Sequence, residues 1–305
     1  MRILFTGASS FTGYWFVKTL AAAGHELVCP LTGGIERYVD VRRERVRVLS
    51  SLSRLVPNTP FGGDDFLRLV CSEKFDLICH HGADVTNYKS ADFDALSALK
   101  NNTLNLRVVL KALNCPVLVT GSVFENDEGS GDSPLRAFSP YGLSKGLTFQ
   151  YFRYHCQDMG FPLGKFVIPN PFGPFEEPRF TAFLMKSWNA GQPVEVKTPD
   201  YLRDNIHVDL LALAYADFCE RVVSTRLPLL KLHPCGYVES QGEFAQRVAR
   251  EVRTRTGLAC ELKLAQQSDF SEPLSRFNTD SACVLFPEWS ETLAWDAFVK
   301  FYSQG

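Results

Sequence analysis

A strand, a turn of small residues, a helix and a second strand follow one another within about thirty residues of the amino terminus. Residues 1–6 (Met-Arg-Ile-Leu-Phe-Thr) are short and apolar, and residues 7–13 (Gly-Ala-Ser-Ser-Phe-Thr-Gly) are small and hydroxylated. Residues 14–23 read as a helix stopped by Gly24, and residues 25–30 return to strand. Such a βαβ unit forces two parallel strands with a right-handed crossover, so the helix must lie on a face of the sheet. The alternation continues with a helix at 64–73, a strand at 75–79, a helix at 96–113, a strand at 116–120, a helix at 141–159 and a strand at 163–168. Repeated βα units predict an α/β chain with a doubly wound parallel sheet covered on both faces.

The turn after the first strand carries chemistry. Small residues let a backbone approach a pyrophosphate closely, and a helix amino terminus attracts its charge. Gly7 and Gly13 fit G-x-x-G-x-x-G, with Ser10 in place of the middle glycine. The position after the first strand is the context a dinucleotide fingerprint requires. Gly7, Ser9, Ser10, Phe11, Thr12 and Gly13 are therefore candidate cofactor contacts. An acidic residue at the end of the second strand would hold the ribose hydroxyls of NAD. Here that strand runs into Pro30-Leu31-Thr32-Gly33-Gly34, followed by Arg37. A basic group there suits a 2′-phosphate, so Thr32 and Arg37 favour NADP, with NAD still possible.

The 305 residues allow a large α/β domain with a smaller partner. A hydrophobic content of 45%, a charged content of 22% and a net charge of −2 describe a soluble protein without a basic field for nucleic acid. No apolar run is long enough to span a bilayer. The nine cysteines are scattered, none in a C-x-x-C pair, which points to reduced thiols, a cytoplasmic location and no metal site. Beyond residue 168 the character changes. Residues 169–178 are proline-rich with interleaved aromatics and read as an irregular, functional segment rather than a regular element. Helices are expected at 180–190, 209–223, 241–254 and 292–302. The expected division is a dinucleotide-binding domain at 1–168, with 204–236 packing back on it. Residues 169–203 and 237–305 would form a smaller C-terminal α/β substrate-binding domain.

Tyr141-Gly-Leu-Ser-Lys145 follows Ser139-Pro140. Ser139 suits a helix N-cap and Pro140 its first position. Tyr141 and Lys145 would then share one helix face. A nearby ammonium lowers a phenol pKa and makes it a proton donor and acceptor usable near neutrality.

Taken together these segments resemble the extended short-chain dehydrogenase/reductase family, in its sugar-nucleotide epimerase/dehydratase branch, over nearly the whole chain. Residues 6–13 resemble T-G-x-x-G-x-x-G. Ile78-Cys79-His80-His81-Gly82-Ala83 is similar to the I-H-x-A-A segment near the cofactor, which adds His81, Gly82 and Ala83 to the candidate contacts. Val119-Thr120-Gly121-Ser122-Val123-Phe124-Glu125 is similar to the strand end that carries the catalytic Ser or Thr. Register puts that role on Thr120, with Ser122 second. Tyr141 and Lys145 match the catalytic pair. Asn170-Pro171-Phe172-Gly173-Pro174 resembles N-V-Y-G-P, and Arg203-Asp204-Asn205-Ile206-His207-Val208-Asp209 resembles R-D-F-I-H-V-D-D.

The resemblance implies that Tyr141 exchanges a proton with the sugar, that Lys145 binds the nicotinamide ribose, and that Thr120 orients the reacting oxygen. Asn170 and Arg203 would hold the substrate diphosphate, with Arg179 and Arg276 as further candidates. Phe175 or Tyr201 would either stack on the base or belong to the core. Members that dehydrate carry an acid pair after the catalytic threonine, where this chain has Gly121-Ser122, which disfavours dehydration. Three functions remain: a 4-keto-sugar nucleotide reductase using NADPH, slightly favoured; an NAD-dependent nucleotide-sugar 4-epimerase; and a non-catalytic NAD(P)-sensing protein. The family also implies a homodimer through the helices at 96–113 and 141–159.

Overall fold

The computed structural model describes residues 1–85, 87–88 and 90–303, so the end of the expected 237–305 segment lies outside the described residues. The chain runs β1 (Arg2–Thr6), α1 (Phe11–Ala22), β2 (Glu26–Pro30), α2 (Asp40–Leu49), β3 (Arg54–Val56), α3 (Asp64–Ser72) and β4 (Leu77–His80). It continues through α4 (Ala95–Asn102), α5 (Leu106–Leu113), β5 (Val117–Ser122), β6 (Ser130–Gly131), α6 (Pro140–Met159) and β7 (Leu163–Ile168). The second part holds β8 (Asn170–Phe172), α7 (Phe180–Asn189), β9 (Val194–Val196), β10 (Leu202–His207), α8 (Val208–Thr225), β11 (Leu230–Leu232), β12 (Pro234–Cys235) and β13 (Tyr237–Ser240). It closes with α9 (Gln241–Thr256), β14 (Leu262–Leu264), β15 (Ser275–Phe277), β16 (Asp280–Ser281), α10 (Ala282–Leu285) and α11 (Glu291–Ser303).

The main sheet has seven strands in the order β11-β7-β5-β4-β1-β2-β3, and every pair in it is parallel. One face buries Phe16, Leu20, Leu211, Tyr215 and Phe218 from α1 and α8. The other buries Phe66, Leu110, Phe149 and Phe152 from α3, α5 and α6. This is the doubly wound arrangement. The strand order reverses at β1, between β4 and β2, which opens a crevice beyond the carboxyl ends of β1 and β4.

A second sheet runs β13-β10-β15-β6, with β8 also paired to β10. Residues 202–207 thus sit in the second sheet, α8 packs on α1, and β11 extends the main sheet beside β7. A third apolar cluster fills the space between α7, α9 and α11 with Trp188, Phe244, Val248, Trp295 and Phe298.

The expected elements differ from the structure in three places. The helix expected at 96–113 is interrupted: Asn105 takes a left-handed conformation at φ 52°, which splits it into α4 and α5. The segment 169–178 holds a short strand, β8, despite Pro171. Asn170, Pro171 and Phe172 pair in parallel with Asn205, Ile206 and His207 at one edge of the second sheet, where a missing donor is tolerated. Helix α2 and strand β3 fall in a stretch without a sequence assignment. No helix among the described residues is long and apolar enough to cross a membrane.

Candidate active site

The turn between β1 and α1 is built by two glycines and a capping serine. Gly7 takes a positive φ of 77°, and a Cβ on it would lie 2.7 Å from the Gly82 backbone nitrogen. A Cβ on Gly13 would lie 2.3 Å from the Gly7 carbonyl oxygen. Ser10, in place of the middle glycine, is the N-cap of α1. Its hydroxyl donates to the Gly7 carbonyl at 2.9 Å and accepts from the Gly13 N–H at 3.1 Å. The substitution thus closes the turn with a side chain. Phe11 is buried at the start of α1. The free backbone at this helix terminus, pressed against Gly82, fits a cofactor pyrophosphate.

His80 and His81 point to opposite faces of the sheet, as their position at a strand end requires. His80 packs against Phe61 and Phe152, while His81 lies between Phe5 and Phe16. Nε2 of His81 is 3.0 Å from Ser10 Oγ and 3.1 Å from Thr12 Oγ1, and Nδ1 is 3.1 Å from Thr120 Oγ1. The proton of Ser10 goes to Gly7, so Ser10 can only accept from His81. Nε2 therefore carries the hydrogen and Nδ1 takes the hydrogen of Thr120. Burial, then the Lys145 charge, lower the His81 pKa to about 3, which keeps the ring neutral. Gly82 N–H donates to Thr6 Oγ1 at 2.9 Å, and Ala83 follows it out of the sheet.

Two guanidinium groups of α2 reach the same turn. Nε and Nη2 of Arg42 donate to Ser9 Oγ at 3.0 and 2.8 Å, with the group also lying over the Tyr38 ring. Arg45 is fully buried, donates to the Ser9 carbonyl at 3.0 Å and pairs with Glu177. Arg37 is exposed and its guanidinium makes no hydrogen bond or ion pair among the described residues, and Thr32 is exposed as well. The cations that touch the loop are thus Arg42 and Arg45 rather than Arg37. They were not legible because their helix was not.

Ser139 caps α6 and Pro140 opens it, which places Tyr141 and Lys145 on one face as the sequence requires. Lys145 Nζ donates to the Thr120 carbonyl at the end of β5. Burial lowers its pKa to about 8, opposed by Glu125 and assisted by Lys165. Tyr141 is partly buried, with its ring against the edges of Tyr88 and Phe93 at 5.3 and 5.8 Å. Among the described residues its hydroxyl takes no hydrogen-bond partner. The expected lowering of its pKa by Lys145 is not what the structure gives. Burial raises it, Glu125 and Tyr88 add to the rise, and Arg179 is the cation that opposes it. Lys145 is drawn to a backbone carbonyl instead. Ser122 Oγ accepts from the Phe124 N–H at 3.2 Å, and its own N–H donates to Glu125 Oε1 at 2.7 Å.

The other candidates divide. Arg179 is exposed at the start of α7, 6.0 Å over the Tyr88 ring and close enough to Tyr141 to act on its charge. Asn170 donates to the Asp204 carbonyl at 3.1 Å. Arg203 lies over Tyr201, pairs with Glu272 at 2.9 Å and lines a groove of about 470 Å³ with Phe180, Phe183 and Gln241. Phe175 packs between Tyr14 and Phe301. Arg276 is a correction. It is fully buried, and its guanidinium donates to the carbonyls of Val123, Glu125, Glu128 and Arg136, so it clasps the chain after β5 and has no face for a phosphate. No group of acidic, His or Cys residues that could hold a metal ion occurs among the described residues.

Residues 3–226 match the model of the NAD dependent epimerase/dehydratase family. The chain belongs to that family. No match is found among curated proteins. Solved structures with the same fold include a UDP-glucuronic acid 4-epimerase from Bacillus cereus, 17% identical with a TM-score of 0.73, covering 100% of this chain and 99% of that one. A UDP-glucose-4-epimerase from Stenotrophomonas maltophila with bound NAD is 16% identical with a TM-score of 0.76, covering 100% and 98%. A dTDP-glucose 4,6-dehydratase from Streptomyces venezuelae is 16% identical with a TM-score of 0.74, also covering 100% and 98%.

Proposed function

We propose that this member of the family is an NAD(P)-dependent oxidoreductase acting on a nucleotide-activated sugar, and that it reduces a 4-keto group with NADPH. The observation that carries this reading is Tyr141, whose hydroxyl has no hydrogen-bond partner among the described residues, one helical turn from a Lys145 anchored on the end of β5. Gly7, Ser10, Gly13 and Gly82 would hold the pyrophosphate, and Arg42 with Ser9 would meet the 2′-phosphate. When bound, the nicotinamide supplies the hydride. Tyr141 gives its proton to the carbonyl oxygen as that oxygen becomes an alkoxide. Burial and Glu125 hold the phenol protonated, which suits a donor. Lys145 would hold the nicotinamide ribose and steady the phenolate that Tyr141 becomes.

Asn170, Arg179 and Arg203 would take the diphosphate, and the groove beside Arg203 the nucleoside. In this reading residues 1–168 carry the cofactor, and 169–203 with 237–305 carry the substrate. A second copy would dock on the apolar side chains that α4, α5 and α6 expose, among them Leu96, Val108, Leu147 and Tyr154.

One observation favours the second reading, a 4-epimerase. With its hydrogen committed to His81, Thr120 presents only lone pairs, and these suit the hydroxyl of an alcohol substrate. Identification of the nucleotide released by the denatured protein, followed by titration of the emptied site, separates the readings. The reductase should release little and should take NADPH over NADH. Arg42→Ala should weaken NADPH about tenfold or more and leave NADH unchanged. Firmly retained NAD supports the epimerase. Binding of either nucleotide without turnover of any nucleotide sugar supports a sensing protein.

A further inference from the structure

Behind the Tyr141–Lys145 face lies a buried charged network, of which the proposed reaction uses only the field of Glu125 at Tyr141. Glu125 has no exposed surface. Its Oε1 accepts from the Ser122 N–H at 2.7 Å and its Oε2 from Lys165 Nζ at 2.6 Å. Lys165, on β7, is 2% exposed and also donates to Glu128 Oε1 at 2.8 Å. Glu128 takes Lys231 at 2.8 Å and His233 Nε2 at 2.7 Å, which carries the chain of contacts to the partly exposed His233. Burial would raise the Glu128 pKa, but these partners outweigh it and hold it at about 2.

Buried ions cost several kcal/mol each in desolvation, and an apolar pair of similar volume is often as stable. The surroundings nevertheless make room for this one. A Cβ on Gly121 would lie 2.7 Å from Lys165 Cε and 3.0 Å from Glu125 Oε1. The glycine that occupies the acid position of dehydrating relatives is therefore the space the ion pair needs. On α6, a Cβ on Gly142 would lie 2.3 Å from the Phe124 carbonyl oxygen, and one on Gly146 would lie 2.7 Å from Asn126 Oδ1 and 4.0 Å from Glu125 Cβ. Residues 124–126 thus ride directly against the two turns that carry Tyr141 and Lys145. The Thr120 carbonyl that anchors Lys145 belongs to the peptide of Gly121.

We propose that the Glu125–Lys165 ion pair is a positioning device for the Tyr141–Lys145 pair, fixing the end of β5 beneath them and setting the field in which they hold and release protons. The inference rests on reading those two residues as the proton-handling pair. The groups facing Lys145 are Glu125 from the chain after β5, Lys165 from β7, the neutral His80 at the end of β4 and the neutral His81 just after it. Those facing Tyr141 are Glu125, Tyr88 and Arg179. Glu125 favours the protonated form of both members of the pair, and Lys165 opposes it at Lys145.

The test needs no substrate. Full-length protein labelled with 13C at lysine Cε is titrated by NMR, and the Lys145 signal is identified by its loss in Lys145→Ala. Glu125→Gln is isosteric, and it leaves Lys165 paired with Glu128. It should move the Lys145 midpoint down by about one unit. Lys165→Gln should move it up. Each variant decides alone: a folded Glu125→Gln or a folded Lys165→Gln with the wild-type midpoint overturns the proposal. The functional reading fails separately, through a protein that turns over no nucleotide sugar while its Lys145 midpoint still shifts.

Discussion

At the scale of single residues, His81 ties the turn after β1 to the end of β5. Its ring joins Ser10 and Thr12 on one side to Thr120 on the other, and only one tautomer satisfies all three. Long-range 1H–15N spectra should show a neutral His81 with hydrogen on Nε2, unchanged from pH 8 down to pH 5, about the range in which an ordinary histidine titrates. A ring that titrates in that window, or one protonated on Nδ1, would contradict the arrangement. Helical spacing pairs Tyr141 with Lys145 in the sequence, whereas Thr120 is singled out only by the family resemblance. The resemblance put Arg203 ahead of Arg179 and Arg276, but no pattern in the sequence gives the physical reason. Arg276 and Arg203 occupy adjacent register positions on β15 and β10, yet one is enclosed by backbone carbonyls and the other faces a groove. That difference is made by the path of residues 123–136, which no local pattern encodes. Glu125 lies beyond the end of β5, and its partner Lys165 stands on another strand, so no local pattern joins them.

Among the elements, the parallel strands and their helices were legible because each strand is a short apolar run and each helix has an apolar face. What escaped was short or charged. The strand β3 has three residues, and α2 carries four arginines in ten positions, so neither stands out by hydrophobic period. The interruption between α4 and α5 escaped because one residue, Asn105, adopts a conformation that asparagine tolerates without advertising it. The turn from β1 to α1 is where element geometry makes its firmest demand. Gly7→Ala would place a methyl at a positive φ and against Gly82. It should destabilise the protein by about 2 kcal/mol or more and remove measurable NADPH binding, as chemical denaturation and titration would show. Wild-type stability and affinity in that variant would mean that the turn relaxes, and would remove the close approach from the account.

For the molecule as a whole, the two sheets are joined by buried side chains, with Arg276 donating to the Val123 carbonyl and Asn278 to that of Val167. The main sheet ends at the turn, His81 and Thr120, while the second sheet brings Asn170 and Arg203 on adjacent strands. The chain belongs to the NAD dependent epimerase/dehydratase family, and under the proposed function the choice between reduction and epimerisation falls on side chains such as Arg42, His81 and Glu125. The central claim is that Tyr141 handles the proton of a hydride transfer. Its most direct test loads wild type and Tyr141→Phe with cofactor and mixes each with hydroxy and keto forms of UDP-, dTDP-, GDP- and CDP-sugars, following the absorbance of reduced nicotinamide. Wild type should react with at least one of them, and Tyr141→Phe should bind cofactor normally yet react about a hundredfold more slowly or less. Hydride transfer at the wild-type rate in Tyr141→Phe would contradict the assignment.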